Sequence, residues 1–110
     1  MKQGDIYLVD LNPVIGNEQK GIRPMVIISG NAMNDHLNIC IACSLSSRIK
    51  KWAGCIVLKK DKRNNLDEDS EVITFQVRTI SKDRMIKKIG EITREQLEII
   101  KKGLSDILTY

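Results

Sequence analysis

One arginine stands where a polar loop runs into an apolar strand. In Gly16-Asn17-Glu18-Gln19-Lys20-Gly21-Ile22-Arg23-Pro24, glycines bracket the loop and Arg23 leads into Met25-Val26-Ile27-Ile28. Pro24 fixes its own φ and pushes Arg23 toward extended geometry, so the guanidinium leaves the strand entrance in a defined direction. Gly16 and Gly21 let the loop fold closely around whatever that group meets. A planar, permanently charged fork suits the bidentate binding of phosphate or carboxylate. The plainer reading of the same residues is a surface arginine paired with Glu18 or a neighbouring carboxylate, since surface ion pairs are common and individually weak.

Other chemistry-bearing residues are sparser. Leu45-Ser46-Ser47-Arg48-Ile49-Lys50-Lys51-Trp52-Ala53-Gly54 is a basic, serine-containing loop with the only tryptophan. Cations can hold phosphates there while the indole stacks on a base, or Trp52 can close one end of the core. Cys40, Cys43 and Cys55 are odd in number and lie in or beside apolar strands, which argues for reduced, buried thiols. Cys40 and Cys43 have C-x-x-C spacing, but a strand through them sends their side chains to opposite faces. The single histidine, His36, falls in a separate polar segment, so no metal site is expected.

A chain of 110 residues with 42% apolar and 29% charged residues is expected to be a single ordered domain spanning 1–110. Apolar runs of four to five residues are far short of a membrane span, and no leader pattern opens the chain, so a cytoplasmic location is expected. The net charge of +4 gathers in Arg48-Lys50-Lys51, Lys59-Lys60-Lys62-Arg63, Lys82-Arg84-Lys87-Lys88 and Lys101-Lys102, as a polyanion partner would require. Lysine-rich faces are also ordinary solvated surfaces, and Asp67-Glu68-Asp69-Glu71 shows acidic clustering in the same chain.

The elements that position these residues are short. Strands are expected at Asp5 to Asp10, Met25 to Ser29, Ile39 to Cys43 and Cys55 to Leu58. Gly30 to Asn38 reads as a polar connection, and Lys59 to Asp69 as a charged hairpin or loop, mobile at its Asn64-Asn65 tip. Extended structure follows over Glu71 to Ile80, with Val72, Phe75, Val77 and Ile80 as core contributors. Ser81 can cap a short helix through Met85, and Ile89 to Ile92 can form a last strand. Thr93-Arg94-Glu95-Gln96 is a capping box, and Leu97, Ile100, Leu104, Ile107 and Leu108 then recur at helical spacing. Many short strands with one terminal amphipathic helix indicate a mainly β fold, a small barrel with an appended C-terminal helix and one or two short helices.

The order of these motifs resembles the MazF/PemK-like toxins of type II toxin–antitoxin systems. The resemblance runs through Gly4 to Pro13, Gly16-Asn17-Glu18-Gln19 with Gly21 to Ser29, Asp69-Ser70, Gln76-Val77-Arg78-Thr79-Ile80, Arg84, Ile89-Gly90 and the terminal helix, and so covers nearly the whole chain. It implies an SH3-like (CcdB/PemK-like) barrel, a homodimer, and a metal-independent, cofactor-free endoribonuclease that cleaves single-stranded messenger RNA at short sequences. It also implies neutralisation by a cognate antitoxin protein. In that family the catalytic pair is the arginine of the loop-to-strand motif, here Arg23, and a threonine ending the third strand, which falls on Ser44 in an ungapped alignment. Serine replaces threonine there, keeping the donor but losing the methyl that restricts its rotamer, and Ser46 and Ser47 offer competing hydroxyls. Phe75 stands where an acidic residue commonly precedes the glutamine.

The chemistry so implied is attack of a 2′-hydroxyl on its own phosphate, leaving a 2′,3′-cyclic phosphate and a 5′-hydroxyl. Arg23 and Ser44 would meet the charge on phosphorus. A guanidinium is a poor base near pH 7, so Glu18 is the alternative proton acceptor, ahead of His36. RNA phosphates are expected at Arg23, Arg48, Lys51 and Arg78, and bases at Asn17, Gln19 and Gln76. A non-enzymatic toxin of the same barrel that binds DNA gyrase is the competing expectation, and it has no need of the catalytic pair.

Overall fold

The computed structural model describes residues 1–12 and 21–110. Six antiparallel strands form one curled sheet in the order β4-β5-β3-β2-β1-β6. In chain order these are β1 (Asp5–Asp10), β2 (Ile22–Ile27), a short helix α1 (Asn31–His36), β3 (Ile39–Ser46), β4 (Ile56–Leu58), β5 (Ser70–Ser81) and β6 (Met85–Glu91), followed by α2 (Arg94–Thr109). A mainly β architecture with one terminal helix is therefore present, as its pattern of short apolar runs foretells.

The curled sheet buries side chains on both faces. Ile6, Val26, Cys43, Leu45, Leu58 and Val72 form one core with Leu97 and Ile100 of α2, while Val9, Met25, Ile27, Cys40, Ala42 and Ile80 form another. Cys40 and Cys43 thus lie on opposite faces of β3, in different cores, and cannot chelate one ion together. Burial pushes the Cys43 thiol up to about 12, with a smaller contribution from Cys55. Burial also raises Cys40, against a lesser pull from Lys82.

α2 begins at a reciprocal cap: Gln96 N–H donates to Thr93 Oγ at 3.1 Å, and Thr93 N–H donates to Gln96 Oε1 at 2.9 Å. Two of the helix's unpaired donors are satisfied in this way. Its apolar stripe descends on the first core through Leu97 and Ile100, and each fully buried aliphatic side chain contributes about 1.5–3 kcal/mol. Gly103 allows the helix to touch the 52–55 turn, since a Cβ there would lie 2.0 Å from the Gly54 carbonyl oxygen. Leu108, expected in the stripe, is 85% exposed.

Four other expectations are corrected. Gly30 to Asn38 is not a plain connection: α1 occupies its centre, secured by buried Asn34, whose side-chain amide donates to the Ser29 carbonyl at 2.9 Å. The Asn64 tip is buried rather than mobile. Its side chain accepts from Asp61 N–H and Leu66 N–H and donates to the Lys59 carbonyl. The tip then spans the gap between the sheet's ends, where Glu91 N–H donates to the Arg63 carbonyl at 3.1 Å and a Cβ on Gly90 would sit 2.3 Å from the Asn64 oxygen. Phe75 and Val77 are exposed, because β5 carries three extra residues between its pairings with Cys43 and Ser44, and this bulge reverses which side chains face the core. Finally, β3 continues to Ser46 rather than ending at Cys43.

Candidate active site

The site forms where two central strands part. β2 and β3 pair from Ile27–Ala42 to Met25–Ser44, and there the ladder stops. Pro24 has no N–H to continue it. Arg23 and Ser46 lie two residues beyond the last pair, one on each strand. They border one cavity of about 340 Å³ together with Leu45, Ser47 and Arg48. A second cleft of about 440 Å³ opens from Arg23, Pro24 and Ser47 toward Asn65, Asp67, Glu68 and Lys87. Arg23 is exposed at the junction of the two.

The end of β1 is bonded to the residue that precedes β2. Leu11 N–H donates to the Gly21 carbonyl at 2.9 Å, and Gly21 N–H donates to Asn12 Oδ1 at 3.1 Å. Gly21 has φ +81°, which a residue with a Cβ rarely adopts. The guanidinium of Arg84 adds a donation to the Asp10 carbonyl at 3.1 Å. Leu11 and Asn12 are therefore held beside Gly21, two residues before the arginine. Asn17, Glu18 and Gln19 themselves lie outside the described residues.

Of the expected site residues, the structure brings Arg23 and Arg48 together on one cavity. Ser44 is 2% exposed, paired with Met25 and Ile73, and borders neither cleft. The hydroxyls on the smaller cavity with Arg23 are those of Ser46 and Ser47, while Ser70 borders the larger cleft. The signal for this was present in Cys43-Ser44-Leu45-Ser46: alternate apolar and polar residues continue the strand three positions past Cys43. Gln76 lies in the β5 bulge, where its side-chain oxygen is buried without a partner, and Arg78 pairs with Ala42 one strand away. Lys51 is exposed on the 46–55 loop, with φ +57°.

That loop has an anchor that the sequence concealed inside an acidic run. Glu71 is fully buried, and its carboxylate accepts from Lys50 N–H at 2.8 Å, Lys51 N–H at 3.2 Å and Trp52 N–H at 2.8 Å. These bonds offset the cost of left-handed backbone at Lys51, on the order of 1–2 kcal/mol. Of the two readings of Trp52, core closure is not realised: the residue stays half exposed and meets Phe75 edge to face, with ring centroids 5.8 Å apart. Asp67 and Glu68 of the same acidic run face the larger cleft.

Residues 2–108 match the family described as PemK-like, MazF-like toxin of type II toxin-antitoxin system. The chain belongs to that family. It is 33% identical over 105 residues to a protein named endoribonuclease MazF from Staphylococcus saprophyticus, covering 94% of this chain and 88% of that one. The crystal structure of MazF from Deinococcus radiodurans superimposes with a TM-score of 0.83 at 22% identity, covering 100% of this chain and 97% of that one. A mycobacterial endoribonuclease in complex with its cognate antitoxin has a TM-score of 0.81 at 22% identity, covering 98% of this chain and 94% of that one. These two structures share the toxin fold with this family member.

Proposed function

We propose that this protein is an endoribonuclease toxin that cuts single-stranded messenger RNA at a short sequence, without a metal or cofactor, in the cytoplasm. The observation that carries the reading is the cleft shared by Arg23, Ser46, Ser47 and Arg48, which sets a bidentate cation beside hydroxyl donors. The ribose 2′-hydroxyl attacks the adjacent phosphorus and the 5′-oxygen leaves, giving a 2′,3′-cyclic phosphate and a 5′-hydroxyl. Arg23 meets the non-bridging oxygens as negative charge grows on them. Ser46, which borders the cavity, donates a further hydrogen bond in place of Ser44, which is 2% exposed. Glu18 is one proton acceptor for the 2′-hydroxyl, and Asp67 or Glu68, which border the second cleft beside Arg23, are the others.

RNA phosphates then lie along Arg23, Arg48, Lys51 and Arg78, and bases meet Asn17, Gln19 and Gln76. The protein acts as a homodimer, and a cognate antitoxin occupies the RNA groove. A mycobacterial structural neighbour is complexed with its antitoxin, and the Staphylococcus relative is named an endoribonuclease, which favours this reading over gyrase binding.

Incubation of synthetic single-stranded RNA with the protein in EDTA tests the reading, with fragment ends mapped and Arg23→Ala as control. Discrete cuts with cyclic phosphate ends are expected, with duplex RNA resistant. Uncut RNA, or equal cutting by Arg23→Ala, would refute it.

A further inference from the structure

Trp52 and Phe75 are each 50% exposed, although both are large apolar rings. Their edge-to-face contact, with planes at 88°, sets the edge of one ring on a face of the other and leaves about half of each residue exposed. Neither ring belongs to either core. The indole is nevertheless held in place, because the backbone N–H of Trp52 and the two residues before it are bound by the buried Glu71 carboxylate. A fixed and solvent-facing aromatic pair is preorganised for a flat partner.

The surroundings identify that partner's charge. The segment 46–60 carries Arg48, Lys50, Lys51, Lys59 and Lys60 and has no Asp or Glu. Of the carboxylates bonded to its backbone, Glu71, at residues 50–52, is buried, and Asp69, at Lys60, lies at the other end of the segment from Trp52. The same loop begins at the cleft of Arg23, where Ser46, Ser47 and Arg48 line the wall, and ends at the aromatic pair. A polyanion held at Arg23 and Arg48 is thus led along a cationic path toward the half-exposed rings.

We propose that Trp52 and Phe75 form a stacking platform for one unpaired nucleobase of the RNA substrate, away from the scissile phosphate. The proposal rests on the ribonuclease reading and adds a specificity subsite to it. Stacking tolerates any base but requires that one be present and unpaired, so the platform selects single strands and sets how far the substrate must extend from the cut.

Trp52 is the only tryptophan, so its emission reports on its own site. The test titrates the protein with an uncleavable 2′-O-methyl oligonucleotide of the cleaved sequence, moving an abasic spacer through each position. Quenching is expected with the intact strand, and one spacer position should restore emission and weaken binding by about 5- to 150-fold. Trp52→Leu and Phe75→Leu, followed by anisotropy of a labelled strand, should lose a comparable factor, while Trp52→Phe keeps most of the affinity. In cleavage, the leucine variants should raise KM with little change in kcat.

A strand that binds without quenching, a spacer scan with no sensitive position, or full affinity in Trp52→Leu would overturn the platform while leaving the nuclease intact. An exposed anchor for a protein partner gives that last result. Wild-type protein that cuts no RNA would remove the underlying reading as well.

Discussion

Replacing Ser46 by alanine distinguishes the hydroxyl at the cleft from the one behind it. Ser46 is partly exposed and shares the 340 Å³ cavity with Arg23, whereas Ser44 is 2% exposed and faces Met25 across the ladder. In a closed, water-free site, removal of one oxyanion donor costs about 10²- to 10³-fold in kcat. This cavity is open to solvent, so the relevant scale is a single hydrogen bond to a charged group, about 1.5–3 kcal/mol. That corresponds to about a 10- to 150-fold fall in the cleavage rate. Ser44→Ala removes a hydroxyl that borders neither cleft and should leave the rate within about two-fold, with any effect confined to stability within about 1–2 kcal/mol. Ser46→Thr should retain activity, since the donor stays and the added methyl narrows its rotamers. Single-turnover cleavage of a labelled single-stranded oligonucleotide in EDTA, at saturating enzyme, gives the rate directly. Circular dichroism and thermal melting establish that each variant is folded. A folded Ser44→Ala protein that is inactive, beside an active Ser46→Ala protein, would refute the geometric reasoning.

Other consequences concern the frame around the site. Glu71→Gln loses the acceptor for Trp52 N–H and sets an amide donor against it, so urea unfolding should show a loss of about 2–4 kcal/mol. Gly103→Ala opposes two effects: helix propensity gains about 1 kcal/mol, but the new Cβ would lie 2.0 Å from the Gly54 oxygen, and overpacking of about 1–3 kcal/mol should make the melt lower. The Cys43 thiol has its ordinary value near 9 when unfolded and about 12 when folded, because burial disfavours the thiolate. Its stabilising contribution is complete below pH 9 and is lost as pH rises through 12, at up to about 1.4 kcal/mol per pH unit. Denaturant midpoints across that window should fall less steeply in Cys43→Ala than in the wild type.

Several features were legible because they are written in local periodicity. The capping box at Thr93 and the spacing of Leu97 and Ile100 specify α2 without reference to any other element. The opposed faces of Cys40 and Cys43 follow from a strand's period of two. Arg23 could be singled out from its neighbours alone, since Pro24 and the glycines act through bonds one or two residues away.

The remainder depended on partners distant in the chain. Which serine meets Arg23 follows from where the β2–β3 ladder ends, and Phe75 turns outward because of a bulge defined only against β3. Glu71 and Glu68 sit three residues apart in one acidic run, yet one is buried under the 50–52 backbone and the other borders a cleft. Asn64 is buried because the curled sheet leaves a gap between β4 and β6 that its turn fills. Sequence alone determined most strands and α2 and singled out the arginine, because helix and strand periods are set by contacts within a few residues. Register, bulge and closure were decided by the tertiary structure, because backbone hydrogen bonds across a sheet join residues that no local pattern relates.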